Sequence, residues 1–325
     1  MARNIFGKLV AAGFVSATLL AGGAQAQDYP SGPVTVVVGF APGGSADASA
    51  RFFAQKLGEV FGQSFIVENR VGASGLLAVA SVAQAPADGR TLLYGSQTNI
   101  VVSPIFNPDT PVDPTTDLIG AVSTGTKPVV LVVDPDLPIH SVDDLIAYAR
   151  ENPNALAYGS GGLGTSPHLS GMTFAQMADI EMRHITYNGE NPGVLDVLGK
   201  RLQVMFASSG AVMPHVESGD LRALAVTSAE RIEYLPDLPA ISEFGLEGYD
   251  VQSWSGLMAP AGTPDEILQA LNDKMQEVLA MPETQTFLAA EGIVPLVGSP
   301  AEFHAFVEAE AEKWAIALAD AVETQ

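Results

Sequence analysis

The residues of this chain best suited to chemistry lie in two glycine-rich stretches. The first, Pro42-Gly43-Gly44-Ser45-Ala46-Asp47, follows the apolar run Val34, Val36, Val37 and Val38. The second runs from Gly159 through Ser160, Gly164, Thr165, Ser166 and Pro167 to His168 and follows Leu156-Ala157-Tyr158. Each reads as a strand, a glycine turn and a helix start. The first turn of a helix leaves backbone N–H groups without intrahelical acceptors, at the positive end of the helix dipole, which favours an anion. Two such ends far apart in sequence point to one anionic ligand gripped from two sides. For either loop alone, glycines that serve only the tight bend are an equal reading.

The elements that must hold these loops follow from periodicity. Val34 to Val38 is the continuous apolar run of a strand buried on both faces, and Ala50, Phe53, Ala54, Leu57 and Phe61 recur at helical spacing. Ser45 is the expected N-cap of that helix and Asp47 a first-turn acid; in the second loop Ser166 is the expected cap, with Pro167 at N1. Further along, Phe65 to Asn69 reads as a strand, Gly72 to Gly75 as a loop, Leu76 to Val82 as a helix, and Thr91 to Tyr94 as a third strand followed by polar residues that include Ser96. This rhythm predicts a parallel sheet with right-handed crossovers and ligand groups at the carboxyl ends of its strands.

After a Pro- and Asp-rich loop from Asn107 to Asp117 the α/β rhythm restarts with an apolar strand from Lys127 to Val133. Val251 to Met258 reads as a strand returning to the first unit, and helices opening near Pro264, Pro282 and Pro300 complete the chain, the last reaching about Val322. The expected organisation is a first lobe of residues 27–125 plus 253–325, a second lobe of 126–252, and a hinged cleft between them.

Residues 1–26 are excluded from that count. Arg3 and Lys8 precede an apolar run from Leu9 to Leu20, and Ala24-Gln25-Ala26 forms a small-residue cleavage site, the pattern of a secretory signal peptide. Cysteine is absent, which rules out disulfides, thiol chemistry and a lipoprotein anchor, and fits a soluble periplasmic protein. The formal net charge is −22, and Arg3 and Lys8 are lost with the signal. Nucleic acid and anionic membrane surfaces call for basic patches and are poor partners for such a chain. An acidic protein can still bind an anion, because carboxylates farther away than about 8–10 Å are largely screened at physiological salt while pocket N–H groups act at contact distance.

Other motifs carry less. Gly159 to Gly164 formally matches GxGxxG, but the next strand ends in Tyr187-Asn188 and lacks the acidic residue that a dinucleotide's ribose requires. Ser166 and His168 stand two apart at a helix start and no GxSxG elbow is present, so no nucleophile set is organised. No HxxxH or HExxH pair marks a metal site, and no cofactor is expected. His168 reads either as a capping or ligand-contacting donor or as a structural histidine. Asp47 either contacts a ligand hydroxyl or ammonium or favours the helix dipole. Trp254 and Tyr187 form either an aromatic wall or plain core.

Taken together, these stretches resemble the substrate-binding receptors of tripartite tricarboxylate transporters, the Bug-type periplasmic proteins. The resemblance rests on YPSGPVTVVVGFAPGGSADASAR at 29–51, VENRVGASG at 67–75, the PADG and TLLYG segments at 86–95, GSGGLGTSPHLSG at 159–171, LRALAVTSAER at 221–231 and W-x-G-L-x-APAGTP at 254–264. It implies a two-lobed, type II periplasmic-binding-protein fold, each lobe a mostly parallel sheet flanked by helices. It also implies a non-catalytic receptor, most simply a monomer, that presents a small carboxylate to membrane subunits. Carried over, the ligand contacts are the backbone of Ala41, Gly43, Gly44 and Ser45 with Asp47 nearby, Ser96, and opposite them Ser160, Thr165, Ser166 and His168. Asn188 stands where the family commonly has lysine, Ala207 where an aspartate often follows, and Met172 where an acid is common. The missing acid at 207 disfavours an amino-acid ligand and favours a di- or tricarboxylate or an aromatic acid. A secreted enzyme using the same cleft and a receptor feeding a sensor kinase are the alternatives.

Overall fold

The structure, a computed structural model, describes residues 29–187 and 189–319; the expected signal peptide, the site candidate Asn188 and the last residues of the expected terminal helix lie outside it. The chain opens with β1 (Val34–Val38), α1 (Ser45–Phe61), β2 (Phe65–Asn69), α2 (Leu76–Ala83) and β3 (Thr91–Ser96). A short α3 (Ser103–Phe106) precedes β4 (Leu118–Pro128), and β5 (Val130–Val133) follows after Val129 alone. Then come α4 (Val142–Glu151), β6 (Ala157–Ser160), α5 (Ser166–Ala178), β7 (Arg183–Thr186), α6 (Glu190–Leu198), β8 (Val204–Ala207), α7 (Ser209–Glu217) and β9 (Arg222–Val226). β10 (Gln252–Pro260) and helices α8 (Asp265–Leu279), α9 (Pro282–Glu291) and α10 (Pro300–Ala317) complete the described chain.

These strands form two five-stranded sheets, β2-β1-β3-β10-β4 and β7-β6-β8-β5-β9, one in each lobe. Both are mixed. β10 runs antiparallel to β3 and β4, and β5 runs antiparallel to β8 and β9, while β1 pairs with β2 and β3, and β6 with β7 and β8, in parallel. The reversed strand in each sheet is the one that arrives from the other lobe.

The crossings are tied by one buried residue. The Val129 N–H donates to Thr227 Oγ1 (2.9 Å), the Thr227 N–H to Val129 O (3.0 Å), and the Val251 N–H to Thr227 O (2.9 Å). Apolar packing runs through the same region, joining Val37 and Leu93 of the first sheet to Leu131, Val133 and Phe206 of the second. The register also sets where loops gather. Val38 lies opposite Asn69 and Tyr94, so the loops after β1, β2 and β3 leave from one edge. Ser160 lies opposite Thr186, and Gly159 opposite Met205, so the loops after β6, β7 and β8 do the same in the second lobe.

Candidate ligand-binding site

The first glycine loop is built around a carboxylate. Gly43 adopts φ +82°, a conformation that costs a residue with a Cβ, and this turns its N–H onto Asp47 Oδ2 (2.9 Å). Arg51 Nε donates to the same oxygen (2.9 Å) and Asn69 Nδ2 to Oδ1 (2.8 Å). Asp47 is buried, and these donors, led by Arg51, hold its carboxyl down at about 2. The Gly44 N–H turns back to Ala41 O at 3.4 Å. The amides of Gly43 and Gly44 are thus engaged within the loop; those of Ser45, Ala46 and Asp47, in the first turn of α1, are left over, and of these residues Ser45 and Ala46 reach the cavity.

The N-cap of α1 is Gly44, not the expected Ser45, which is the first helical residue. A cap needs an extended backbone whose carbonyl accepts the first helical bond, and Gly44 supplies both: φ −79°, ψ 168°, with its C=O accepting from Ala48 N at 2.9 Å.

Ser45 and Ala46 face a cavity of about 410 Å³ whose lining includes Ala41, Gly44, Ser49, Ser96 and Thr98 on one side. Gly125, Lys127, Ser253, Trp254, Ser255 and Ile293 form the other side, on and beside the crossing strands. Tyr94 forms part of its wall. The Tyr94 hydroxyl lies 2.9 Å from Ser255 Oγ and 3.3 Å from Thr124 Oγ1, and those two hydroxyls are 2.9 Å apart. Burial raises the Tyr94 pKa, so the phenol stays protonated and the cluster is neutral. Ser96 lines the cavity, but its N–H and Oγ both donate to Asn99 Oδ1 (2.8 and 3.1 Å), which orders the turn after β3.

The second loop is sewn to itself. Thr165 Oγ1 donates to Gly162 O (2.7 Å), Ser160 Oγ to the same carbonyl (3.1 Å), and Ser160 Oγ also lies 2.7 Å from His184 Nε2. The Gly164 N–H donates to His168 Nδ1 at 3.1 Å, which leaves Nε2 as the protonated nitrogen of a neutral ring. Burial, with the neighbouring His184 ring 4.4 Å away, pushes His168 down to about 4, and burial also lowers His184. Here too the cap is displaced by one residue: Thr165, extended at φ −74° and ψ 155°, caps α5, so Ser166 is N1 and Pro167 N2. Ser166 Oγ is buried without a hydrogen-bond partner.

The expected site residues therefore fall into two groups. Ala41, Gly44, Ser45 and Ser96 line the cavity; Gly43 and Asp47 support it from behind. Ser160, Thr165, Ser166 and His168 gather at the start of α5 and do not line it. That second loop rests against the first lobe at Val102 and Phe106, near Gly164. Ala207 is the buried last residue of β8, and next to it Ser208 N–H and Oγ both donate to the Glu190 carboxylate, so an acid stands close to the position where 207 lacks one. Thr98, one of the polar residues expected after the third strand, lines the cavity, whereas Ser49, Lys127, Ser253, Ser255 and Ile293 were not expected there. Only Lys127 left a signal, a lone cation at the head of the run Val129 to Val133. Among the described residues no group of three His, Asp or Glu side chains is placed to hold a metal.

Comparison with known proteins identifies the family and the fold. Residues 49–321 match the model of the tripartite tricarboxylate transporter family receptor, a match that begins within α1, beyond the Gly43-Gly44 turn. Protein BugT of Bordetella pertussis is 33% identical over 303 residues, covering 93% of each chain. An R. palustris protein solved with adipate is 37% identical, with a TM-score of 0.71 over 90% of this chain and 97% of that one. MatC from Rhodopseudomonas palustris, solved with bound malate, is 27% identical, with a TM-score of 0.70 over 89% of this chain and 100% of that one. The chain belongs to the tripartite tricarboxylate transporter receptor family, the solute-binding proteins of Bug type.

Proposed function

We propose that this protein is a periplasmic receptor that captures a small carboxylate between its lobes and delivers it to the membrane subunits of a tripartite tricarboxylate transporter. The observation that carries this reading is the pair of uncommitted amides, Ser45 and Ala46, at the mouth of a cavity of about 410 Å³. Gly44 and Ala41 shape the approach, and Asp47 acts behind the loop by fixing Gly43. Each hydrogen bond to a charged group contributes on the order of 1.5–3 kcal/mol, so a few donors around one carboxylate supply much of the roughly 8 kcal/mol that micromolar binding needs. Rotation about the Val129, Thr227 and Val251 crossing brings Thr165, Ser166 and His168 over the ligand; the buried, unpartnered Ser166 Oγ and the His168 Nε2–H are the donors that loop offers. The adipate and malate held by relatives are carboxylates of a size such a cavity takes.

Thermal melting of the protein against carboxylic acids and their amides tests this reading. A bound acid at 100 times its dissociation constant raises stability by about 2.7 kcal/mol. The expected result is a melt shifted by an acid and not by its amide. Equal shifts from acid and amide, or none from any di-, tri- or aromatic carboxylate, contradict it.

A further inference from the structure

Resting on the carboxylate reading above, we propose that Lys127 is a specificity residue that binds a second carboxylate at the far end of the ligand, so that the receptor selects dicarboxylates over monoacids. Lys127 is the one cationic side chain among the described residues that line the cavity. It lies on the wall formed by the crossing strands, across from the loop that carries Ser45, and its neighbour in register on β10 is Ser253.

A further observation favours an anion there. Lys127 Nζ is paired only loosely, 3.4 Å from Glu291 Oε2, with about a quarter of its side chain exposed, whereas the Lys56–Glu283 and Lys313–Glu310 pairs close to 3.0 and 2.9 Å. A loose pair at a cavity wall can exchange its internal carboxylate for one brought by a ligand. The cluster of Tyr94, Thr124 and Ser255 hydroxyls between Lys127 and the first loop is neutral and suits the uncharged middle of a diacid.

The test is calorimetric titration of the purified protein with the α,ω-diacids from succinate to suberate, the monoamide of each, and the corresponding monoacids. The quantity read is the ratio of diacid to monoamide affinity. In the wild type this ratio is expected to reach roughly tenfold or more for the best-fitting length, the effect of one charge-assisted hydrogen bond. Lys127→Met should collapse the ratio toward one. Glu291→Gln, which removes the internal competitor for the ammonium, should widen it, and it keeps the test alive should the Met variant fold poorly. A ratio near one in the wild type, or a ratio that Lys127→Met does not lower, overturns the role of Lys127 while leaving carboxylate capture intact. Failure of every acid to bind removes the parent reading and this one with it.

Discussion

At the first glycine loop the backbone is held by a charge, at the second by neutral groups. Asp47 takes the Gly43 amide, Arg51 and Asn69 together, and the loop that results is exposed from Ala41 to Ser45. At the second loop Ser160, Thr165 and His168 bind the loop's own backbone, and Ser160, Ser166 and His168 are all buried. An ionised carboxylate behind an anion site would repel the ligand if it faced it, but here three donors consume it. The first loop is thereby fixed and open to solvent. The second, with neutral histidines, can approach an anion or be covered without leaving an uncompensated charge. On the proposed function, this difference makes one loop the resting anchor and the other the closing face.

The sharpest way to break this comparison is to delete one amide. Ser45→Pro removes the N1 N–H at a position where proline fits, because N1 tolerates it and Gly44 is already extended, as a residue before proline must be. Carboxylate affinity should fall by about 1.5–3 kcal/mol, roughly tenfold to a hundredfold, with little change in melting temperature; titration calorimetry of the variant decides it. Asp47→Ala should cost about 1.5–3 kcal/mol of stability, read by urea unfolding, since it removes the acceptor of the Gly43 N–H, of Arg51 Nε and of one of the two Asn69 Nδ2 hydrogen bonds, the other being to Phe40 O, and should weaken binding by loosening the turn.

A smaller effect separates the loops by pH. His168 and His184 have folded pKa values below the unfolded value of 6.5, His168 at about 4, so the unfolded state binds more protons in that interval. Stability should be full above pH 6.5 and decline as pH falls toward 4. Asp47 has the same sign at lower pH, with stability lost from the ordinary aspartate range down to about 2. Melting temperatures of His168→Gln across this range should show a shallower decline in the upper window and an unchanged one below. The smallest effect is Ser96→Ala, about 0.5–1 kcal/mol of stability, because the Ser96 N–H still donates to Asn99 when the hydroxyl is gone.

Much of this was legible in the residues. The strand-turn-helix rhythm located both loops, the return strand and the terminal helices, because periodicity and glycine turns are local signals. Both helices are capped one residue before the serine that the sequence marks. A serine hydroxyl is the usual capping signal, whereas Gly44 and Thr165 do the capping through backbone alone, with Thr165 Oγ1 turned to Gly162. Most of β4 was also invisible. Gly120 and Gly125 interrupt its pattern, and the structure shows why they are there: a Cβ would meet Phe303 at 2.9 Å from Gly120 and the Val294 carbonyl at 2.6 Å from Gly125. The far wall of the cavity, Lys127 with Ser253 and Ser255, depends on how β10 pairs with β4 more than a hundred residues away, and no local pattern encodes that pairing.

The most direct measurement is of the amides themselves. Backbone amide shifts of the 15N-labelled protein, followed while a carboxylate that stabilises it is titrated, should move Ser45 and Ala46 most among the residues of the first loop, with Gly43 held in place by Asp47. Saturation of the protein with Ser45 and Ala46 unmoved would place the anion elsewhere and contradict the account.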